Sequence, residues 1–246
     1  MVKKMIEKAL KYIVGLGEAR TQAIHGDTYS DKELYRIDKH IPTASPISMN
    51  TLSSLVNYIK GNIDSMSEKM IVHVVSPEEV MLFSCLNDNR KRETLVSVKA
   101  QVPSFPYESF TDHERFVIAV QSKFLDDPET DKALLMKFAG TVEAGTIANY
   151  GDDGVTQKAT VSTGIASKSD AIVPNPVKLR PFRTFVEVEQ PVSEFIFRIK
   201  QDKYEGIKCA IFEADGGAWK NAAMKNIKDY LDFELADYKD QFVVIS

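Results

Sequence analysis

The stretch EFIFRIKQDKYEGIKCAIFEADGGAWKNAAMKNI, residues 194–227, changes its period halfway through, and the fold is read from that change. EFIFRIKQ and IKCAIFEA alternate apolar with polar residues across the short break DKYEG, the pattern of an antiparallel hairpin with one buried face. After two consecutive glycines, Ala222, Ala223, Ile227, Tyr230, Leu231 and either Phe233 or Leu235 recur at helical spacing. Adjacent glycines are costly unless the backbone needs them, so Gly216 and Gly217 mark the bend by which a strand becomes a helix.

The same alternation extends toward the N-terminus. VTQKATVSTGI and RTFVEVEQ read as further strands of this sheet, the latter joined through QPVS, and the closing FVVIS reads as an edge strand. KMIVHVVS, EVMLFSCLN and ETLVSVKAQ are rich in β-branched and aromatic residues, and the breaks SPE and NDNRKR between them suit a three-stranded meander. A helix follows Asn50, with Leu52, Leu55, Val56, Ile59 and Ile63 in one stripe. PSFP (103–106) imposes an extended connection, after which Thr111 and Glu114 have the spacing of a capping box. Phe116, Val117, Val120 and Phe124 then repeat helically, and PETDKALLMKFAG starts another helix. The fold class is α+β: antiparallel sheets or meanders near 69–101 and 155–213, helices near 112–148 between them, a C-terminal helix, and an amphipathic N-terminal helix.

That first helix places Val2, Met5, Ile6, Ala9, Leu10 and Ile13 on one face and Lys3, Lys4, Glu7, Lys8 and Lys11 mostly on the other. The charged residues interrupt what a signal peptide needs as its apolar part, so the segment reads as a retained helix. HGDTYSDKE and IPTASP follow as a polar linker. Residues 1–46 are therefore an N-terminal helix and linker, an oligomerisation arm or a helix docked on its own chain, and residues 47–246 form one α+β domain. An exposed apolar stripe of this kind seeks a partner, which predicts a homo-oligomer.

Composition narrows the function. A formal charge of −4, with 43% hydrophobic and 27% charged residues, describes a self-sufficient globular chain and argues against a broad nucleic-acid-binding face, while leaving room for a local basic patch. No apolar run reaches the length of a membrane span. Cys85 and Cys209 stand far apart, outside any C-x-x-C pair, as suits a reducing cytoplasm. His25, His40, His73 and His113 have no metal-ligand spacing, and the signatures of acyl transfer and nucleotide cofactors are missing, so neither metal nor cofactor is expected and catalysis is disfavoured. Asp152 and Asp153 in GDDG are either a solvated turn or a carboxylate pair for a metal-dependent hydrolase.

Two segments carry the binding reading. At DGGAWK, Asp215 is expected as the N-cap, Gly216 and Gly217 as a bend exposing N–H groups, Trp219 as a ring able to stack on a planar ligand and Lys220 as a mobile donor; the competing reading is a tight turn with Trp219 in the core. KSDAIVPNPVKLRPFRTF is the clearest basic stretch, and prolines keep it extended, presenting Lys178, Arg180 and Arg183, with guanidinium groups suited to phosphate; the competing reading is a solvated, charge-guarded strand edge. The ligand-binding set is thus Lys178, Arg180, Arg183, Gly216, Gly217, Trp219 and Lys220.

NTLSSLVNYIKGNID, TDHERFVIAVQSKFLDDP and the run from PFRTFVEVEQPVSEFIFRI into IKCAIFEADGGAW resemble, over about residues 48–235, the YfdQ-like family of phage and prophage proteins of unknown function. The resemblance transfers no functional residue. It implies a virus-encoded protein of the bacterial cytoplasm, and with the residues above it leaves three readings: a non-catalytic oligomeric protein that sequesters an anionic nucleotide-like ligand in counter-defence; an accessory of phage DNA replication or recombination binding single strands or a host repair protein; or a metal-dependent hydrolase using the GDDG carboxylates.

Overall fold

The computed structural model describes residues 2–17, 19–24, 27–31, 44–87, 90–141, 157–164, 167–173, 175–202, 204 and 206–246. The chain divides into two compact units, Met1–Thr43 and Ala44–Ser246. The first contains helix α1 (Val2–Gly17) and an antiparallel hairpin of β1 (Thr21–Ile24) and β2 (Asp27–Ser30), so part of the expected polar linker is paired strand. Ile6, Leu10 and Ile13 on α1 are each more than half exposed.

The second unit runs β3 (Ile47–Met49), α2 (Leu52–Gly61), β4 (Met70–Ser76), β5 (Glu79–Ser84), β6 (Thr94–Lys99), β7 (Thr111–Asp112), α3 (His113–Lys123), α4 (Lys132–Thr141), β8 (Gln157–Gly164), β9 (Ser167–Val173), β10 (Val177–Leu179), β11 (Ser193–Asp202), β12 (Gly206–Glu213), α5 (Ala218–Glu234), a 3₁₀ turn (Ala236–Tyr238) and β13 (Phe242–Ile245). Its architecture is α+β, built on a five-stranded and a four-stranded sheet.

The five-stranded sheet has the order β13-β4-β5-β6-β3. Its centre is the antiparallel meander of β4, β5 and β6, but both edges pair parallel: β13 beside β4 and β3 beside β6. The expected antiparallel meander is present, and the edge strands add to it in parallel because both come from distant parts of the chain and no hairpin turn fixes their direction. Alternation in β4 buries Met70, Val72 and Val74, which join Val80, Leu82, Val96 and Val98 against Leu55 and Ile59 of α2 and Ile227 and Leu231 of α5. Leu235 completes the stripe at 1% exposure while Phe233 is 78% exposed, which decides between those two positions.

The four-stranded sheet, β10-β11-β12-β7, is antiparallel throughout. Phe195, Phe197 and Ile199 of β11 and Ile207, Cys209 and Ile211 of β12 turn one face onto Phe116, Val120, Leu135 and Phe138 of α3 and α4. Burying each such large side chain contributes on the order of 2 kcal/mol, so these strands anchor the second core. The expected capping box is corrected: Asp112 caps α3, its Oδ1 accepting from Glu114 N at 3.0 Å and Arg115 N at 3.3 Å, while Thr111 is held in β7 opposite Cys209.

Two strand assignments change. KATVSTG and its partner form a separate two-stranded sheet, β8-β9, instead of joining the larger one. RTFVEVEQ is a loop, because the Gln190 side chain takes the bonds a neighbouring strand would offer. Its Oε1 accepts from Arg183 N at 2.9 Å and Thr184 N at 3.2 Å, and its Nε2 donates to Phe185 O at 2.8 Å and Val188 O at 3.2 Å. The loop sends Phe185 into the first core and leaves Arg183 beside the second. Asp152 and Asp153 lie outside the described residues, as do His25 and His40.

Candidate functional site

The glycine pair explains itself locally. Gly216 and Gly217 have φ of 61° and 81°, a region L side chains rarely adopt, and a Cβ at either position meets nothing closer than Lys220 Cδ at 4.0 Å. Backbone conformation, and not close packing, is what selects glycine there.

The N-cap expectation is corrected at the same turn. Gly217, not Asp215, is the cap residue of α5, and Asp215 Oδ1 accepts from Gly217 N at 3.0 Å. Asp215 O takes Ala218 N at 3.1 Å and Gly217 O takes Lys220 N at 3.0 Å. These amides are already satisfied within the turn, which weakens the helix start as an anion-binding corner.

What the turn does is aim Trp219 inward and Lys220 outward. Trp219 is 8% exposed, and the Arg183 guanidinium carbon lies 3.9 Å from its ring centroid. Arg183 is itself 4% exposed; its Nη1 donates to Glu213 Oε1 at 2.5 Å and its Nη2 to Ser193 Oγ. Phe195 faces the same guanidinium at 5.4 Å, and the Tyr107 ring stacks on Phe195 at 5.9 Å with an interplanar angle of 10°. One cation is thus fixed among three rings.

Burial governs the electrostatics here. It pushes Tyr107 up to about 12, with the Arg183 charge opposing and Glu213 adding. It also lowers Arg183, against the pull of Tyr107 and Glu213, yet a guanidinium stays charged near neutrality. Arg183 Nε and Trp219 Nε1 are buried donors with no hydrogen-bond partner among the described residues.

These side chains line an open hollow of about 730 Å³, bounded on other sides by Ser76 at the end of β4, by Pro77 and Glu78 of the β4–β5 turn and by Val102–Phe105 of the segment after β6. Of the seven residues read from the sequence, Arg183, Trp219 and Lys220 meet in it. Lys178 lies instead by a smaller hollow of about 280 Å³ shared with Asp215 and Trp219. Arg180 is committed elsewhere, 2.7 Å from Asp127 Oδ2 and 3.4 Å from Glu189 Oε1. Gly216 and Gly217 shape the bend without lining the hollow.

Sequence reasoning missed Tyr107 and Phe105. PSFPY read only as an extended connection, although rings interleaved with prolines were a signal for a rigid wall. The structure also makes Glu213 the partner of Arg183. Among the described residues no group of three or more His, Cys, Asp or Glu is placed to hold a metal, and no helix is long and apolar enough to cross a membrane. In comparisons with known proteins, no family model, no curated protein and no solved structure matches this chain.

Proposed function

We propose that this chain is a phage- or prophage-encoded, non-catalytic binding protein of the bacterial cytoplasm, homo-oligomeric through α1, that sequesters a small anionic, nucleotide-like ligand in the Tyr107–Arg183–Trp219–Lys220 hollow as a counter-defence device. The observation that carries the reading is the Arg183 guanidinium held 3.9 Å over Trp219 in the lining of a hollow about 730 Å³ in volume, a size suited to a ligand of that class. The resemblance of residues 48–235 to YfdQ-like proteins supports the viral setting.

The charges refine the ligand. Arg183 and Lys220 are matched in the lining by Glu78 and Glu213, so the hollow favours one anionic group near Lys220 over a polyphosphate. Glu213 can also accept from a ligand N–H, and the aromatic wall supplies apolar contact, which together fit a nucleobase-like edge better than a bare inorganic ion. Native mass spectrometry of the protein recovered from cells infected with its phage tests the reading. A bound small molecule containing phosphate or another anion is the expected result, and a protein carrying no small molecule at saturating levels of candidate nucleotides contradicts it.

A further inference from the structure

The four-stranded sheet has a second face, which the hollow does not use. Because Phe195, Phe197, Ile199, Ile207, Cys209 and Ile211 turn into the core, the alternate positions Ile196, Arg198 and Lys200 of β11 and Lys208, Ala210 and Phe212 of β12 turn the other way. Register places Phe212 opposite Ile196, Ala210 opposite Arg198 and Lys208 directly opposite Lys200. Lys200 and Lys208 thus share one spot on this face, with Asp112 opposite Lys208 on the next strand.

Aromatic rings border that spot. Lys200 Nζ lies 4.2 Å from the Phe110 ring centroid, and Phe110 meets Phe212 edge-on at 6.2 Å. Phe110, Arg115 and Lys208 line a hollow of about 510 Å³ with Thr111 and Asp112, and Thr111 Oγ1 is buried there without a hydrogen-bond partner among the described residues. Asp112 is the acid within this patch, opposite Lys208, and its Oδ1 is occupied in capping α3. Glu194 and Asp202 bound the patch at its two ends along β11.

We infer that this face of β11 and β12 binds single-stranded nucleic acid, with Arg115, Arg198, Lys200 and Lys208 contacting phosphates and Phe110 and Phe212 stacking on bases. Cations would hold the backbone of any polyanion; the half-buried rings favour unpaired bases, whose π-faces are available, over an acidic polypeptide. The span from Ile196 to Lys200 is about 13 Å, room for about two or three nucleotides on a sheet platform. An overall charge of −4 confines the interaction to this patch and makes it sensitive to salt. The inference stands apart from the Arg183 hollow and survives if that hollow binds nothing.

Fluorescence anisotropy of a labelled twelve-nucleotide oligo(dT) titrated with the full chain tests it. Binding is expected at low salt and should weaken by about tenfold to twentyfold between 50 and 200 mM salt, the dependence of roughly three phosphate contacts. Lys200→Ala and Lys208→Ala should each weaken binding several-fold and Phe212→Ala by about tenfold. Lys225→Ala, on α5 and paired with Asp229, should bind as wild type. Should Phe212→Ala fail to fold, the exposed Lys200 change still decides, with folding followed by circular dichroism. The inference is overturned if the wild type does not bind at 50 mM salt, if folded Lys200→Ala and Lys208→Ala bind as wild type, or if polyglutamate or duplex DNA binds as tightly through the same lysines.

Discussion

The guanidinium carbon of Arg183 lies over the indole of Trp219, 3.9 Å from its ring centroid, in a place where neither residue is more than 8% exposed. A cation over tryptophan gains most when both are out of water, and the Glu213 carboxylate completes its neutralisation. This pair joins the loop after β10 to the first turn of α5, and so ties the hollow to the fold.

Arg183→Ala should therefore destabilise the protein by about 2 to 4 kcal/mol, the cost of breaking a buried pair reduced because Glu213 is partly exposed. Arg183→Lys should recover only part of the loss, since an ammonium cannot reach Glu213 and Ser193 together in the forked geometry. Denaturant unfolding of the three proteins checks this; equal midpoints would show that the pair contributes nothing.

At the glycine bend, Gly217→Val should cost roughly 1 to 2 kcal/mol through its left-handed backbone, and Gly217→Asn clearly less, because asparagine tolerates that conformation. Both should leave ligand affinity unchanged wherever the variant is folded, since Gly217 is not in the hollow's lining. Loss of binding in folded Gly217→Asn would restore the backbone amides to the site.

Stability should fall in alkali. Burial, then the Asp64 hydrogen bond, raises Tyr58 from 10.0 to about 12, and burial alone is the main cause for Tyr107, also about 12, and for Cys209, raised from 9.0 to about 12. Each of these groups keeps its proton longer folded than unfolded, so their contribution is intact below pH 9 and declines as pH rises through 10 towards 12. Ultraviolet titration of tyrosinate should show late-ionising tyrosines, and Tyr107→Phe should remove one of them. A single transition near pH 10 in the folded protein would contradict the buried assignments.

The N-terminal helix predicts self-association. Ile6, Leu10 and Ile13 are exposed along α1, and light scattering should give an oligomer for the full chain and a smaller species for a chain lacking residues 1–25. Monomers in both cases would remove α1 as an oligomerisation arm.

Much of this fold was legible in residues whose periodicity is enforced by burial. EFIFRIKQ and IKCAIFEA announce a hairpin because every second residue enters a core, and Ile227, Leu231 and Leu235 announce α5 for the same reason. RTFVEVEQ misled because its alternation is real but the side chain of its own last residue, Gln190, satisfies its backbone and folds it into a loop. The parallel edges were hidden because β3 and β13 owe their places to strands far away in sequence. In the hollow, tryptophan and basic residues were visible as residue types. Their sorting was not: Arg183 turns inward to Glu213 while Arg180, three residues earlier, turns to Asp127.

Titration calorimetry against a panel of nucleotides and cyclic nucleotides tests the central claim most directly. The account predicts that the wild type binds at least one of them and that Lys220→Ala weakens binding by about tenfold or more, the loss of one charge-assisted contact, with its melting temperature unchanged. Lys178→Ala, whose side chain borders the other hollow, should bind as wild type. A wild type that binds no member of the panel, or a folded Lys220→Ala variant that binds as tightly as the wild type, would contradict it.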